Sequence, residues 1–230
     1  MKIAGINKTS LLDYPEKVAA TVFTAGCNFC CPFCHNRDLV IGPTPQLINE
    51  DSVLDFLGKR RGILGGVCIS GGEPTIDPDL IEFIGKIKAM GYCVKLDTNG
   101  YQPTVVRQLL ADRLIDYIAM DIKNCRERYS MTAGRSELDI SRIEESVKLI
   151  KEAGIPYEFR TTVVKELHSE SDIMTIGNWL GEGSRWFLQN YEEHENVICA
   201  GFHPHSPEQL HYWKKWLEDN SLVVAVRGIA

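Results

Sequence analysis

Seven short apolar runs, each followed within a few residues by small or polar side chains, constrain this chain more than any other feature. They are Val18–Thr24, Gly66–Ser70, Tyr92–Leu96, Tyr117–Met120, Tyr157–Val164, Trp186–Asn190 and Leu222–Val226. Each is rich in β-branched or aromatic residues and bounded by glycine, asparagine or charge, which is the signature of strands. Between them lie stretches with a 3.6-residue apolar period. Leu80, Ile84 and Ile87 share one helix face, and Ile143, Val147 and Ile150 share another. Ser141 with Glu144 is the expected capping box of that second helix, closed by Gly154 and Pro156. Ser206-Pro207 with Gln209 opens a late helix carrying Leu210, Trp213 and Leu217. Such alternation requires parallel strands with right-handed crossovers, and about six units are too few to close an eight-stranded barrel.

The loop after the first run reads Gly26-Cys27-Asn28-Phe29-Cys30-Cys31-Pro32-Phe33-Cys34-His35-Asn36. Cys27, Cys31 and Cys34 have the spacing C-x3-C-x2-C. Three thiolates so close can hold three corners of a [4Fe–4S] cube, whose usual ligation is four cysteines. One iron is then open to a substrate, as a catalytic zinc site keeps one vertex free. Structural zinc, a disulfide and plain core cysteines are the competing readings. Zinc ribbons bring a second C-x2-C knuckle, and none follows. Disulfides go with a secretory leader, and Met1–Gly5 has neither an apolar stretch nor a cleavage site. Cys30, Cys68, Cys93, Cys125 and Cys199 are isolated and read as small hydrophobes, so one cluster is expected. Eight cysteines point to a reducing compartment, the cytoplasm.

Further motifs follow the later runs. Gly71-Gly72-Glu73-Pro74 comes directly after the second: glycines let a ligand approach the backbone, and a carboxylate beside them can accept from an ammonium group. The same four residues could equally be an ordinary turn. Asp97-Thr98-Asn99-Gly100 and Asp121-Ile122-Lys123 end the third and fourth runs, where short polar side chains can bond a ribose or a carboxylate. Asn-Gly is also a plain turn signal. Arg160 stands in a strand otherwise apolar enough to be buried, so it needs a carboxylate partner. His35 and Asn36 follow the last cysteine, where a donor beside a cluster sulfur would tune its potential. His203 and His205 read as surface residues rather than metal ligands. Trp179, Trp186, Trp213 and Trp216 read as packing.

With 230 residues, 44% hydrophobic and 24% charged, the chain suits one α/β domain spanning 1–230. Its net charge of −6 and lack of a basic stripe argue against a sequence-independent grip on nucleic acid. No apolar run approaches the roughly 20 residues that span a bilayer.

Taken together, these motifs resemble the radical S-adenosylmethionine (radical SAM) family. The string Cys31-Pro32-Phe33-Cys34-His35-Asn36 is similar to the branch that activates glycyl radical enzymes. The opening Thr9-Ser10-Leu11-Leu12-Asp13-Tyr14-Pro15 resembles activators of anaerobic ribonucleoside-triphosphate reductase. The resemblance implies a partial (β/α)6 barrel with one [4Fe–4S] cluster on Cys27, Cys31 and Cys34. It implies S-adenosylmethionine as cofactor, its amino group held at Gly71, Gly72, Glu73 and Pro74. Further contacts are implied at Asp97, Thr98, Asn99, Asp121, Lys123 and Arg160, with a monovalent cation lined by Asp97 and Asp121. The implied reaction is reductive cleavage of the cofactor to a 5′-deoxyadenosyl radical that takes hydrogen from a glycine on a partner protein. Flavodoxin or ferredoxin would supply the electron. The substrate side would be shaped by Leu39–Lys59 and Asn190–Pro207. Alternatives are an activator of the pyruvate formate-lyase type, or a small-molecule enzyme resembling 7-carboxy-7-deazaguanine synthase. A non-enzymatic electron carrier is a third, but it has no use for Gly-Gly-Glu-Pro.

Overall fold

Eight strands hydrogen-bond in sequence order in one sheet of the computed structural model, which describes residues 1–42 and 46–228. Strands β2 (Ala19–Thr24), β3 (Gly66–Gly71), β4 (Cys93–Thr98), β5 (Tyr117–Asp121), β6 (Tyr157–Val163), β7 (Arg185–Asn190) and β8 (Val223–Arg227) run parallel. Helices fill every crossover between them. These are α1 (Arg37–Val40) and α2 (Glu50–Lys59), α3 (Leu80–Ala89), α4 (Pro103–Ala111), α5 (Arg126–Thr132) and α6 (Ile140–Glu152), α7 (Glu170–Leu180) and α8 (Pro207–Asp219). β2 to β7 thus head six strand–helix units, and β8 follows as an extra strand. This is the partial (β/α)6 barrel that the family resemblance implies.

One strand was not legible. β1 (Ile3–Ser10) pairs antiparallel with β2 and forms an edge of the sheet. Its Asn7, Lys8 and Thr9 face solvent, so it carries no continuous apolar run; charge and polarity on an edge strand discourage further pairing. The helix starts follow local chemistry. Ser206 caps α8 by accepting from Gln209 N–H, as expected. The cap of α6, however, is Asp139, which accepts from Ser141 N–H at 3.1 Å. The capping box expected at Ser141 and Glu144 is not there: both lie inside the helix, and Glu144 instead pairs with Arg126. An aspartate two residues upstream supplies the stronger acceptor.

Side chains alternate across the strands. On β4 to β6, Val94, Leu96, Ile118, Met120 and Phe159 are fully buried beneath the helices. The alternate residues Lys95, Asp97, Asp121, Glu158 and Arg160 point to the concave face. Tyr14, Ala19, Tyr117 and Ala119 form a small separate apolar cluster there. Tyr14 belongs to the Thr9–Pro15 opening, whose Asp13 accepts from Thr21 at 2.5 Å. No helix among the described residues is long and apolar enough to cross a membrane.

Candidate functional site

The C-terminal ends of β2 to β7 converge on one cavity, and nearly every residue singled out above lines it. Cys27, Cys31 and Cys34 come from the loop after β2, and Gly71, Gly72 and Glu73 from the end of β3. Asp97, Thr98 and Asn99 come from β4, Asp121 and Lys123 from β5, and Arg160 from β6. Pro74 does not line it; the proline is buried as the first residue of a 3₁₀ turn, Pro74–Ile76. Cys30 does not line it either. Ser70, Thr162 and Gln189 do, although the sequence reading passed over them. Thr162 could have been found from Arg160, since residues two apart on a strand share a face.

The cysteine loop is held from several sides. Cys30 N–H donates to Ala133 carbonyl at 3.0 Å, and Arg135 donates to Asn28 carbonyl at 2.9 Å. Ile198 N–H bonds Cys34 carbonyl at 3.0 Å and Cys199 N–H bonds Pro32 carbonyl at 2.8 Å. The Asn190–Pro207 stretch therefore straps the cysteine loop in addition to bounding the cavity. Of the Leu39–Lys59 stretch, residues 43–45 lie outside the described residues, and Glu50–Lys59 is helix α2 with Val53 and Leu57 in the core. Burial pushes the Cys27 thiol up to about 12 and the Cys31 thiol up to about 11. Thiolates in such a place require a cation, and iron would supply it.

Gly71 and Gly72 serve the chain before they serve any ligand. Gly71 sits at φ +114°, and a Cβ on Gly72 would fall 1.9 Å from the Gly26 carbonyl oxygen. This close approach lets Gly72 N–H reach Thr24 carbonyl at 2.9 Å and Glu73 N–H reach Gly26 carbonyl at 2.8 Å. The β3 motif is thereby knitted into the base of the cysteine loop.

Glu73 differs from the expectation drawn from its type. Its carboxylate is 1% exposed and accepts four hydrogen bonds from the protein. They come from Thr75 N–H at 3.1 Å, Thr75 hydroxyl at 2.5 Å, Thr98 hydroxyl at 2.7 Å and Asn99 N–H at 2.6 Å. Burial raises its pKa against those four donors. Three of these bonds fall on Oε1 and one on Oε2, so the buried carboxylate is held chiefly by the protein. It locks the end of β3 to the end of β4.

Asp97 and Asp121 face one another across Arg160. Arg160 lies 3.3 Å from Asp97 and 3.0 Å from Asp121, Lys95 lies 2.5 Å from Asp97, and Lys123 lies 3.0 Å from Asp121. Ser70 adds a hydroxyl donor to Asp97 at 3.1 Å. Burial alone would raise both acids, but Arg160 and its neighbouring lysine hold them low, Asp121 at about 2. The expected partner of Arg160 is thus two protein carboxylates. The monovalent cation expected between those carboxylates meets a place where three protein cations already supply the charge.

The histidines resolve individually. His35 is exposed, with its ring against His194 at 5.6 Å, and desolvation lowers its pKa. Asn36 donates to Gly71 carbonyl at 3.3 Å. His203 pairs with Glu166 at the surface, and His205 packs on Trp213. No group of three His, Cys, Asp or Glu among the described residues is arranged to hold a single metal ion.

Against known proteins, residues 21–179 match the radical SAM superfamily, a span that includes the cysteine loop and five of the parallel strands. The chain is a radical SAM enzyme. As such it is an oxidoreductase that uses a [4Fe–4S] cluster and S-adenosylmethionine. It is 35% identical over 199 residues to a Methanocaldococcus jannaschii protein provisionally named a glycyl-radical enzyme activating enzyme, covering 83% of this chain and 80% of that one. It is 26% identical over 209 residues to the pyruvate formate-lyase-activating enzyme of Clostridium pasteurianum, covering 88% and 82%. These relatives put it with the glycyl-radical-activating branch. A probable GTP 3′,8-cyclase of Pyrococcus horikoshii also matches, at 28% over 162 residues, 69% of this chain but 50% of that one. Among solved structures, Streptococcus suis SuiB bound to S-adenosylmethionine shares the fold with a TM-score of 0.69 at 16% identity. That likeness covers 88% of this chain and 48% of SuiB, so the chain spans about half of that protein.

Proposed function

We propose that this enzyme places a radical on a glycine of a partner polypeptide, with an anaerobic ribonucleoside-triphosphate reductase as the first candidate. The observation that carries this reading is the 35% identity, over 83% of the chain, to a protein named for activating a glycyl radical enzyme. The Thr9–Pro15 opening supports the choice of partner. An activator of the pyruvate formate-lyase type is the neighbouring possibility, supported by the Clostridium pasteurianum relative.

In this reading Cys27, Cys31 and Cys34 hold the cluster and leave one iron for the cofactor. The cavity fits that role: three sulfurs line it, the buried thiols need a cation, and polar main chain and cations face it. Held there, the cluster and S-adenosylmethionine would supply one-electron reductive cleavage of the sulfonium and, through it, the capacity to take a hydrogen atom from a glycine Cα. Gly71 and Gly72 present main chain to the cofactor, and Glu73 fixes that main chain to Thr98 and Asn99. Lys123 and Arg160 are the cations available to its carboxylate. The apolar walls Phe29 and Phe33 keep water from the cavity floor, which protects a radical that would otherwise react with the nearest thiol.

A second cavity supports a long substrate. His35, Thr162 and Gln189 line both cavities, and the second continues past Asn190 and Glu192 to Gly228. Two adjoining cavities that share a wall offer an extended peptide more length than a single small molecule needs. The small-molecule reading keeps two likenesses in its favour, to the GTP 3′,8-cyclase and, at 34% over 100 residues, to a 7-carboxy-7-deazaguanine synthase of Neisseria meningitidis. Mixing the reduced enzyme, S-adenosylmethionine and the reductase tests the proposal. The expected result is an electron paramagnetic resonance doublet from a glycyl radical, absent when the partner's glycine is replaced by alanine. Cofactor cleavage with no protein radical, across several glycyl enzymes, would transfer the assignment to small-molecule chemistry.

A further inference from the structure

Asn99 has one free direction, and it points at the cysteine loop. Its backbone N–H is held by Glu73 at 2.6 Å, and its side-chain oxygen accepts from Tyr101 N–H at 3.0 Å. The second of these bonds decides which end of the amide is which. With Oδ1 turned to Tyr101, Nδ2 must lie on the opposite side. There it stands 2.7 Å from Asn28 Oδ1 and 4.0 Å from Cys27 Sγ. Two amide hydrogens meet two acceptors.

The consequence for Asn28 is a second observation. Because Asn28 offers its oxygen to Asn99, its own Nδ2 is left buried with no hydrogen-bond partner. A buried donor without an acceptor carries an uncompensated desolvation cost. The backbone of Phe29 already donates to Cys27 Sγ at 3.4 Å. Two donors thus approach this one sulfur, and the cysteine loop beside it holds a buried donor with no acceptor. A cluster would bring acceptors of the missing kind, a metal-bound thiolate and sulfide.

We propose that Asn99 is a positioning residue for the cluster, donating from Nδ2 to the Cys27 sulfur and thereby raising the cluster's reduction potential. Reduction adds negative charge to the cluster, and an N–H donor to a ligand sulfur stabilises the more negative state. The side chain expected to play this part from its place in sequence, His35, has its ring against His194 instead. Asn99 is 72 residues from Cys27, so only the fold brings them together. Through Glu73 the chain of contacts runs on from the cysteine loop to the end of β3, so the cofactor-facing turns and the cluster are held by one network.

The inference rests on Cys27 being a cluster ligand, and the test separates the two. The measurement is a redox titration of the reconstituted cluster, without S-adenosylmethionine or partner, alongside an iron assay. Asn99→Ser keeps a short acceptor for Tyr101 N–H but cannot reach Cys27. With iron content unchanged, it should make the cluster about tenfold harder to reduce, about 59 mV more negative. Asn99→Leu removes the donor without adding charge and should move the potential in the same direction. A potential that stays at the wild-type value in Asn99→Ser, with full iron, overturns the inference. Should Asn99→Ser fail to assemble a cluster, Asn28→Leu provides the second reading: it removes the competing acceptor and leaves the Asn99 donor to the sulfur, so a potential shifted downward would overturn the proposal. Full iron retained by Cys27→Ala would remove the ligand assignment itself.

Discussion

On the helix-covered face of the sheet, Leu96, Ile118 and Phe159 are fully buried among aliphatic and aromatic neighbours. Their sequence neighbours on the same strands, Lys95, Asp97, Tyr117, Glu158 and Arg160, make the opposite face a ladder of paired charge. Lys95 joins Asp97, Arg160 joins Asp97 and Asp121, and Glu158 takes Tyr117 hydroxyl at 3.0 Å and Arg227 at 3.2 Å. The first face gains by removing apolar area from water, and most hydrophobes of suitable volume would serve. The second gains only while every charge keeps its partner, since a buried charge left alone costs several kcal/mol. A face built that way is poor at adding stability and good at presenting fixed charge to a polar, anionic-and-cationic ligand. The contrast places function on the concave side before any motif is considered.

The largest expected effect breaks the cavity rather than the fold. Cys27→Ala, Cys31→Ala or Cys34→Ala should each take the chain from about four irons to near none after anaerobic reconstitution. Cys30→Ala should leave the iron in place. Loss of iron in Cys30→Ala with retention in Cys31→Ala would reverse the ligand assignment.

The two faces should then respond differently to substitution. Arg160→Leu leaves Asp97 to Lys95 and Asp121 to Lys123, with two acids facing each other over two cations, and should cost about 3 kcal/mol in urea unfolding. Adding Asp121→Asn to that variant should recover part of the loss, because the like charges no longer face each other. No such recovery is available on the other face, where Phe159→Ala leaves a cavity and should cost about 3–5 kcal/mol whatever else is changed nearby. A double variant no more stable than Arg160→Leu alone would show that the ladder is not coupled.

A pH effect sharpens the account near the site. His168 is 1% exposed, donates from Nε2 to Lys123 carbonyl at 2.8 Å, and accepts from Val164 N–H at Nδ1 at 3.0 Å. Burial brings its pKa from 6.5 down to about 4. The folded state therefore binds the proton less readily than the unfolded chain. Its stabilising contribution is complete above pH 6.5 and is lost as pH falls toward about 4, by up to about 1.4 kcal/mol per pH unit. Urea midpoints at pH 7 and pH 5 should differ more in wild type than in His168→Gln; equal differences would detach His168 from the acid response.

The smallest expected effect belongs to the helix-covered face. Ile118→Val removes one buried methylene from a fully buried site and should cost about 0.5–1.5 kcal/mol. Cluster content should be unchanged, although Asp121 stands only three residues away, because residue 118 faces the helices. A loss of iron there would mean the faces are not independent.

How much of this was legible in sequence follows the same division. The helix-covered face writes itself as apolar runs, so β2 to β8 were found to within a residue or two. β1 escaped because an edge strand with Asn7, Lys8 and Thr9 outward lacks that run. At the cavity, residue types marked the right places but not what they bond. Glu73 reads as a free carboxylate and is occupied by four donors that lie 2, 25 and 26 residues away. Asp97 and Asp121 read as a cation site, and Arg160 sits between them. Lys95 read as nothing at all. Partners across strands are fixed by register, and register between parallel strands is set by crossovers that no local pattern encodes.

The central claim is that the hydrogen taken by this enzyme comes from a glycine Cα on a protein. The direct measurement uses anaerobic ribonucleoside-triphosphate reductase labelled with α-deuterated glycine, incubated with the reduced enzyme and S-adenosylmethionine. Mass analysis of the 5′-deoxyadenosine should find one deuterium per molecule released, in step with a glycyl radical on the reductase. Unlabelled 5′-deoxyadenosine formed at the same rate would contradict the claim.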